Sequence, residues 1–336
     1  MPVVEKILEK YINTKTNQYL SENSILPEFQ HGFQEKKSTY TLLRDFSEII
    51  NNALDHQKYV IRGHIKMFAD DSCLLSIHKD PNIAVENAQA DLMNLQKYFY
   101  NNSIFLNNKK TEIMILGPKR RTQININKVY CHTRKCLERD SAITCDCQPI
   151  EYTDQAKYLG ILVDNKFKMK GHVLHLCKKL RVLNYNFHKM DANCLPMITK
   201  KTLYFSLVES LIRYGVTMYT FAPNYCLDPL NNIQRKIQKY LFDNKPDLKL
   251  MTPKQLANYI ALCDHFQNEK YRRTKDVTYE FRRKQKFIKY LPYTKYGERL
   301  LEYKIPTLLD EYCTEILDET NINIMKKKLK IKLLEN

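Results

Sequence analysis

The chain has 336 residues, of which 43% are apolar, with 23 Tyr and 14 Phe, so it can bury a substantial core and is not a disordered tail. Lys and Arg outnumber acids 54 to 37, giving a net charge of +17. That excess leaves two readings open: a polyanionic partner whose bound counterions are released, or a basic protein whose charges serve solubility. With seven Gly, and neither a P-loop nor a Rossmann glycine fingerprint, the common phosphate-cradling α/β folds are excluded.

From the N-terminus, MPVVEKILEKYI reads as a charged amphipathic helix rather than a secretory signal, with Val4, Ile7, Leu8 and Tyr11 on one face. After NSILPEFQHGF, a second helix is expected with Leu42, Leu43, Phe46, Ile49 and Ile50 on one side. Residues 65–69 and 73–77 are short apolar runs about Asp70–Asp71, a hairpin pattern. Asp80-Pro81 supplies an N-cap and a first-turn proline for a helix carrying Ala84, Ala88, Leu92, Leu95 and Phe99. A strand is expected at TEIMILG (111–117), a polar cysteine-bearing segment over 118–150, and a strand at KYLGILV (157–163). From 168 to the end the pattern is helical, with charge increasing beyond 245. No run of about 18 apolar residues is present, so no membrane partner is expected. Ten cysteines without a secretory signal suggest reduced thiols and an intracellular protein, in nucleus or cytoplasm.

Two adjacent aspartates at a tight turn repel, so they need water or a cation. Mg²⁺ is a hard ion that takes carboxylate oxygens, and two such ions ~4 Å apart support in-line displacement at phosphorus. Residues 130–147, YCHTRKCLERDSAITCDC, offer Cys131, His132, Cys136, Cys145 and Cys147. Four thiolates could hold zinc, but C-x-C is tight for a zinc knuckle, and the reading favours reduced cysteines on a hairpin. Residues 270–290 interleave nine Lys/Arg with Tyr271, Tyr279, Phe281, Phe287 and Tyr290; they either grip phosphates and stack bases or form an amphipathic helix with a buried aromatic face. The ending MKKKLKIKLLEN fits a nuclear-import signal or an amphipathic helix carrying Ile324, Leu329, Ile331 and Leu333.

Four stretches in order carry a resemblance: LPEFQHGFQEKKSTYTLL (26–43), KMFADDS (66–72), SIFLNNKKTEIMILG (103–117) and YLGILVDNKFKMKGH (158–172). With SLIRYGVTMYTFA (210–222) and QRKIQKYLF (234–242), the chain resembles the reverse transcriptases of non-LTR, LINE-type retrotransposons, most closely the jockey-like group. The resemblance implies an α+β fold: an incomplete fingers-palm polymerase core with antiparallel strands, then a mostly helical thumb and C-terminal region. It divides the chain into partial fingers (1–61), partial palm with the metal hairpin (62–165), helical thumb (166–244) and basic helical C-terminal region (245–336). It implies RNA-templated DNA synthesis with Mg²⁺, on an RNA template and a DNA primer. Asp70 is then the main metal ligand and catalytic carboxylate, with Asp71 beside it. Lys110 lies near the incoming nucleotide, and Tyr158, Leu159 and Gly160 lie against the primer. Lys110 also reads as a solvated strand-edge lysine, and Tyr158 and Leu159 as ordinary core.

The chain departs from the family in ways that bear on activity. The first-strand aspartate, in a pattern like F-x-D-x-x-K-A-F-D, and the P-Q-G loop are missing, as though a stretch of palm were cut out at Ile61–Arg62. Gln34 stands where the family has arginine, and Tyr219 where a thumb tryptophan is usual. Asp55 is placed in the turn before the lost strand, and Glu48 on a helix. Losing one metal carboxylate removes several kcal/mol of transition-state stabilisation, so the expected product is catalytically dead. The alternative expectation is a non-catalytic RNA- or DNA-binding protein that uses the basic helical surface.

Overall fold

The computed structural model describes residues 3–23, 25, 30–34, 37–61, 66–69, 71–104, 106–117, 128–137, 147–243, 249–268, 289–312 and 321–335. They are mostly helical with small antiparallel sheets, an α+β architecture. The chain divides into two compact units: 1–46 with 59–115 and 119–153, and 47–58 with 116–118 and 154–336. Both expected helical segments, 166–244 and 245–336, fall in the second unit.

In the first unit, α1 (Val3–Glu22) has the expected apolar face, but Val4, Ile7, Leu8 and Tyr11 are all exposed. α2 (Thr39–Asp55), assigned to this unit through Phe46 and to the second from Ser47, follows Ser38, whose hydroxyl accepts from the Thr41 amide while Thr41 Oγ1 accepts from the Ser38 amide. This reciprocal cap satisfies amides that a helix start leaves without partners, worth about 1 kcal/mol. Leu42, Leu43, Phe46 and Ile50 are buried as expected, and Ile49 only partly. β1 (Tyr59–Ile61) lies antiparallel to β4 (Ser76–His78), with Val60 opposite Ile77. Between them β2 (Lys66–Phe68) and β3 (Asp71–Cys73) form the hairpin foreseen around the aspartates, with Phe68 opposite Asp71. The second apolar run, expected to be one strand over 73–77, is split, because Ser76–His78 leaves the hairpin to pair with β1.

α3 (Pro81–Asn101) starts as its sequence dictates: Asp80 Oδ1 accepts from the Asn82 amide at 2.8 Å, and Pro81 fills the first turn. Its Ala84, Val85, Ala88 and Leu92 pack with Ile61, Leu74, Ile113, Val129, Cys131 and Ile150 into the core of this unit. The strand expected at 111–117 shrinks to a bridge in which Ile113 pairs with Tyr152, through Ile113 N to Glu151 O and Thr153 N to Ile113 O. The residues just before this partner stretch pair elsewhere, Pro149 with Tyr130 and the Ile150 amide with Val129 O. α4 (Arg134–Leu137) is a single turn.

In the second unit, the strand expected at 157–163 is a hairpin instead, with β5 (Gln155–Tyr158) antiparallel to β6 (Ile161–Asp164). α5 (Lys170–Lys189) buries Val173, Leu176, Cys177, Leu180 and Phe187. α6 (Met197–Leu203), a π-helical turn (Tyr204–Glu209) and α7 (Ser210–Arg213) run on continuously. The Tyr204 hydroxyl within that turn is buried and accepts from Gln234 Nε2 at 2.9 Å and Gln238 Nε2 at 2.8 Å. After α8 (Val216–Tyr219), α9 (Asn224–Phe242) presents Leu230, Ile233, Ile237 and Leu241 as its buried stripe and packs on α5. α10 (Pro253–Asn268) packs against α11 (Leu301–Tyr312) and α12 (Ile322–Glu335). In α12 the buried residues are Met325, Leu329 and Leu333, at helical spacing; Ile324 and Ile331 of the expected apolar set are exposed. Among the described residues, no helix is long and apolar enough to cross a membrane.

Candidate nucleic-acid interface and metal ligands

The tip of the β2–β3 hairpin is held by the Q-H-G of the fingers-like motif. Gln30 Oε1 accepts from the amides of Ala69 (3.2 Å) and Gly32 (2.9 Å), its Nε2 donates to Ala69 O at 3.4 Å, and the His31 amide donates to Met67 O at 2.8 Å. The chain at Gly32 runs so close to the hairpin that a Cβ there would stand 2.6 Å from Ala69 N. His31 is buried, with Nδ1 3.2 Å from Thr41 Oγ1 and Nε2 3.8 Å from Asp45 Oδ2. Residues 30–31 thus pair along one edge of the hairpin, through the Gln30–Met67 bridge.

Asp70 lies outside the described residues. Asp71 is exposed on β3 and joins no cluster of three or more candidate ligands among the described residues. The Mg²⁺ pair the resemblance implies would need several carboxylates around the ions, of which the described residues supply Asp71 on this hairpin. Lys110 is exposed at the end of a 3₁₀ turn (Asn108–Lys110), rather than on a strand edge.

Tyr158, Leu159 and Gly160 form the turn of the β5–β6 hairpin. Leu159 (φ 44°) and Gly160 (φ 79°) are both left-handed, as a two-residue type I′ connection requires. The Tyr214 ring lies over this turn, and its hydroxyl donates to Leu159 O at 2.6 Å. Tyr158 is buried, Leu159 half-buried and Gly160 exposed, so the turn offers backbone and one aliphatic side chain to a partner.

Beside the turn stand Lys157 of β5 and His175, Lys178 and Lys179 of α5, all exposed. Partial burial lowers the His175 pKa, and the charges of Lys179, Lys157 and Lys178 lower it further. That signature marks a local excess of positive charge, which is the electrostatic condition for holding phosphates. His172, on the buried side of α5, accepts from the Leu162 amide at 3.4 Å, and its ring packs 5.3 Å from that of Tyr219. Burial, with help from His175 and Lys179, pushes its pKa down to about 4, so it is a neutral core histidine. Tyr219, in the position of the family's tryptophan, is fully buried and donates its hydroxyl to Ile212 O.

The cysteine-bearing segment sorts its residues in a way the sequence did not foresee. Cys131 is buried in the apolar core and, among the described residues, is not in the cluster of candidate ligands. His132, Cys136 and Cys147 instead come together, and Cys145 lies outside the described residues. The alternation is the cause: in extended chain successive side chains face opposite ways, so only one of Cys131 and His132 can face the core. The basic and aromatic stretch 270–290 also lies outside the described residues, save Lys289 and Tyr290.

Tyr290 leads to Asp55, for which sequence reading named no partners. Asp55 ends α2 as a fully buried carboxylate. It accepts from Tyr290 Oη (2.7 Å), Thr294 N (2.6 Å), Thr294 Oγ1 (2.8 Å), Tyr293 N (3.3 Å) and Gly297 N (3.2 Å). Burial raises its pKa, but the hydrogen bonds from Tyr290, Thr294 and Tyr293 together hold it below the usual carboxylate value. Asp55 is a structural anchor of the second unit, and the only signal for it in sequence is an acidic residue ending an otherwise apolar helix face.

Compared with known proteins, the chain matches no family model, no curated protein and no solved structure.

Proposed function

We propose that this chain is a derivative of a jockey-like non-LTR reverse transcriptase that binds RNA or DNA without polymerising it. The observation that carries the reading is the Tyr158–Gly160 turn set beside the exposed Lys157, Lys178 and Lys179, whose charges lower the pKa of the neighbouring His175. The resemblance assigns this same turn to the primer strand. A rigid turn next to clustered cations is suited to a phosphate backbone, because each neutralised phosphate releases counterions. In this reading the hairpin of Asp70 and Asp71 descends from the palm, residues 166–244 from the thumb, and Lys110 from a nucleotide-site position. The missing third carboxylate supports a silent polymerase, since the metal pair cannot be bridged by the hairpin alone.

The test is binding of a fluorescent oligonucleotide, single-stranded or annealed to an RNA template, over a series of salt concentrations. Binding should weaken steeply with salt. Replacing Lys157, Lys178 and Lys179 together by alanine should reduce the slope of log K against log salt by about 2, at ~0.7 per single-strand phosphate contact. The Asp71→Asn variant should bind as the parent does. A slope unchanged by the triple variant refutes the assigned surface. Templated nucleotide incorporation with Mg²⁺ that Asp70→Ala abolishes would overturn the silent-polymerase half of the reading.

A further inference from the structure

The first unit carries a group of soft donors that the nucleic-acid reading does not use. His132, Cys136 and Cys147 each offer one ligand atom, and these atoms all lie within 4.8 Å of one another. We propose that His132 Nδ1 and the thiolates of Cys136 and Cys147 form a zinc site.

The donor chemistry selects the ion. Two thiolates and an imidazole suit Zn²⁺ and disfavour Mg²⁺, which takes oxygen ligands. The two thiolates also neutralise the ion, so the site adds no charge to an already strongly basic chain. The geometry is close to what zinc needs. Zn–S of ~2.3 Å and Zn–N of ~2.0–2.1 Å at a tetrahedral angle set the S···N edge at ~3.6 Å. Cys136 Sγ lies 3.4 Å from His132 Nδ1.

Local structure prepares this arrangement before any ion arrives. His132 and Cys136 are four residues apart and flank the start of α4, where the Cys136 and Leu137 amides donate to Thr133 O at 3.0 and 3.1 Å. One helical turn thus brings both side chains to the same side. The backbone of His132 is clamped by buried Gln96 of α3, which donates to His132 O at 3.1 Å and accepts from His132 N at 3.2 Å. Gln89, two turns earlier on α3, holds Tyr130 in the same way, at 3.1 and 2.6 Å. The Thr133 amide points at Cys147 Sγ from 3.4 Å, a donor that stabilises a thiolate. Supporting contacts of this kind orient ligands and tune affinity. Cys131, facing the core one residue away, takes no part. The ion therefore ties α4 to Cys147.

The full chain, purified under reducing conditions without chelator, is assayed for metal by mass spectrometry and for thiol accessibility by alkylation. The expected result is one zinc per chain after dialysis, with Cys136 and Cys147 shielded from alkylation until EDTA is added. Cys131 should stay unreactive with or without EDTA while the fold is intact. Cys136→Ser and Cys147→Ser should each lower retained zinc at least ~10-fold, the scale on which even supporting partners matter. Cobalt loaded in place of zinc should give a thiolate charge-transfer absorption. A metal-free chain in which added zinc shields neither thiol overturns the proposal. So does zinc retained undiminished by both serine variants, or a Cys136–Cys147 disulfide as the resting state under reducing conditions.

Discussion

Replacing Asp55 by alanine should destabilise the second unit by about 3–5 kcal/mol, the cost of breaking one side of a buried, charged hydrogen-bond network. The figure follows from the five hydrogen bonds the carboxylate accepts. Oδ1 takes the Thr294 amide and hydroxyl and the Gly297 amide; Oδ2 takes the Tyr290 hydroxyl and the Tyr293 amide. A hydrogen bond to a charged acceptor is worth about 1.5–3 kcal/mol, but five such values do not add, because donors freed together admit water. Three of the donors are backbone amides that cannot turn away, so the lower bound stays near 3 kcal/mol, out of a typical total of about 5–15. Asp55→Asn keeps the volume but points an amide N–H at one of the two donor sets, so it should recover less than half of the loss. The variants also differ from the parent in acid. The Asp55 pKa is lowered in the folded chain, so its contribution is complete above the unfolded carboxylate value near ~3.9 and is lost as pH falls through the folded value. Asp55→Asn lacks that acid-dependent loss. Urea unfolding followed by far-ultraviolet circular dichroism, at pH 7 and at steps down to pH 3, measures both effects. A change under ~1 kcal/mol for Asp55→Ala, or an Asn variant with the parent's full acid dependence, would refute the reasoning.

Four further variants probe other contacts. Tyr214→Phe removes the hydroxyl bond to Leu159 O and should cost about 1 kcal/mol, while Gly160→Ala forces a side chain into φ 79° and should cost about 1–2 kcal/mol; thermal unfolding reads both, and oligonucleotide affinity should fall with them. His172 has a folded pKa of about 4 against 6.5 in the unfolded chain, so the unfolded state takes up its proton first and stability drops as pH falls from about 6.5 toward 4. His172→Gln should flatten that limb of the pH–stability curve, and an unchanged limb would assign it elsewhere. Gly32→Ala drives a Cβ to within 2.6 Å of Ala69 N and should cost about 1–3 kcal/mol by overpacking, visible as faster amide exchange at Met67 and Ala69.

Sequence by itself determined the features that rest on short-range geometry. The α3 helix is legible because Asp80-Pro81 and the spacing of Ala84, Ala88 and Leu92 act within a few residues of one another. The hairpin about the aspartates is legible for the same reason, and so is most of the buried face of α2. Local signals also misled. The unbroken apolar run through Leu159 reads as one strand, since a type I′ turn there carries Leu-Gly instead of the usual Asn-Gly. TEIMILG has strand composition, but a ladder needs a partner, and residues 149–150 pair with 129–130 instead.

Only the tertiary structure decided which polar groups meet. Asp55 reads from sequence as an acid in a turn after a helix, and its donors lie more than 230 residues further along the chain. The Gln30 clasp on Ala69 and the Gln96 clamp on His132 join residues 39 and 36 positions apart. The choice between Cys131 and His132 as the outward side chain depended on which one met the core under α3. Periodicity records how a segment divides its faces between water and core. It carries no address for the partner, because a hydrogen bond or a metal ligand is satisfied by position in space, and the fold alone sets that position.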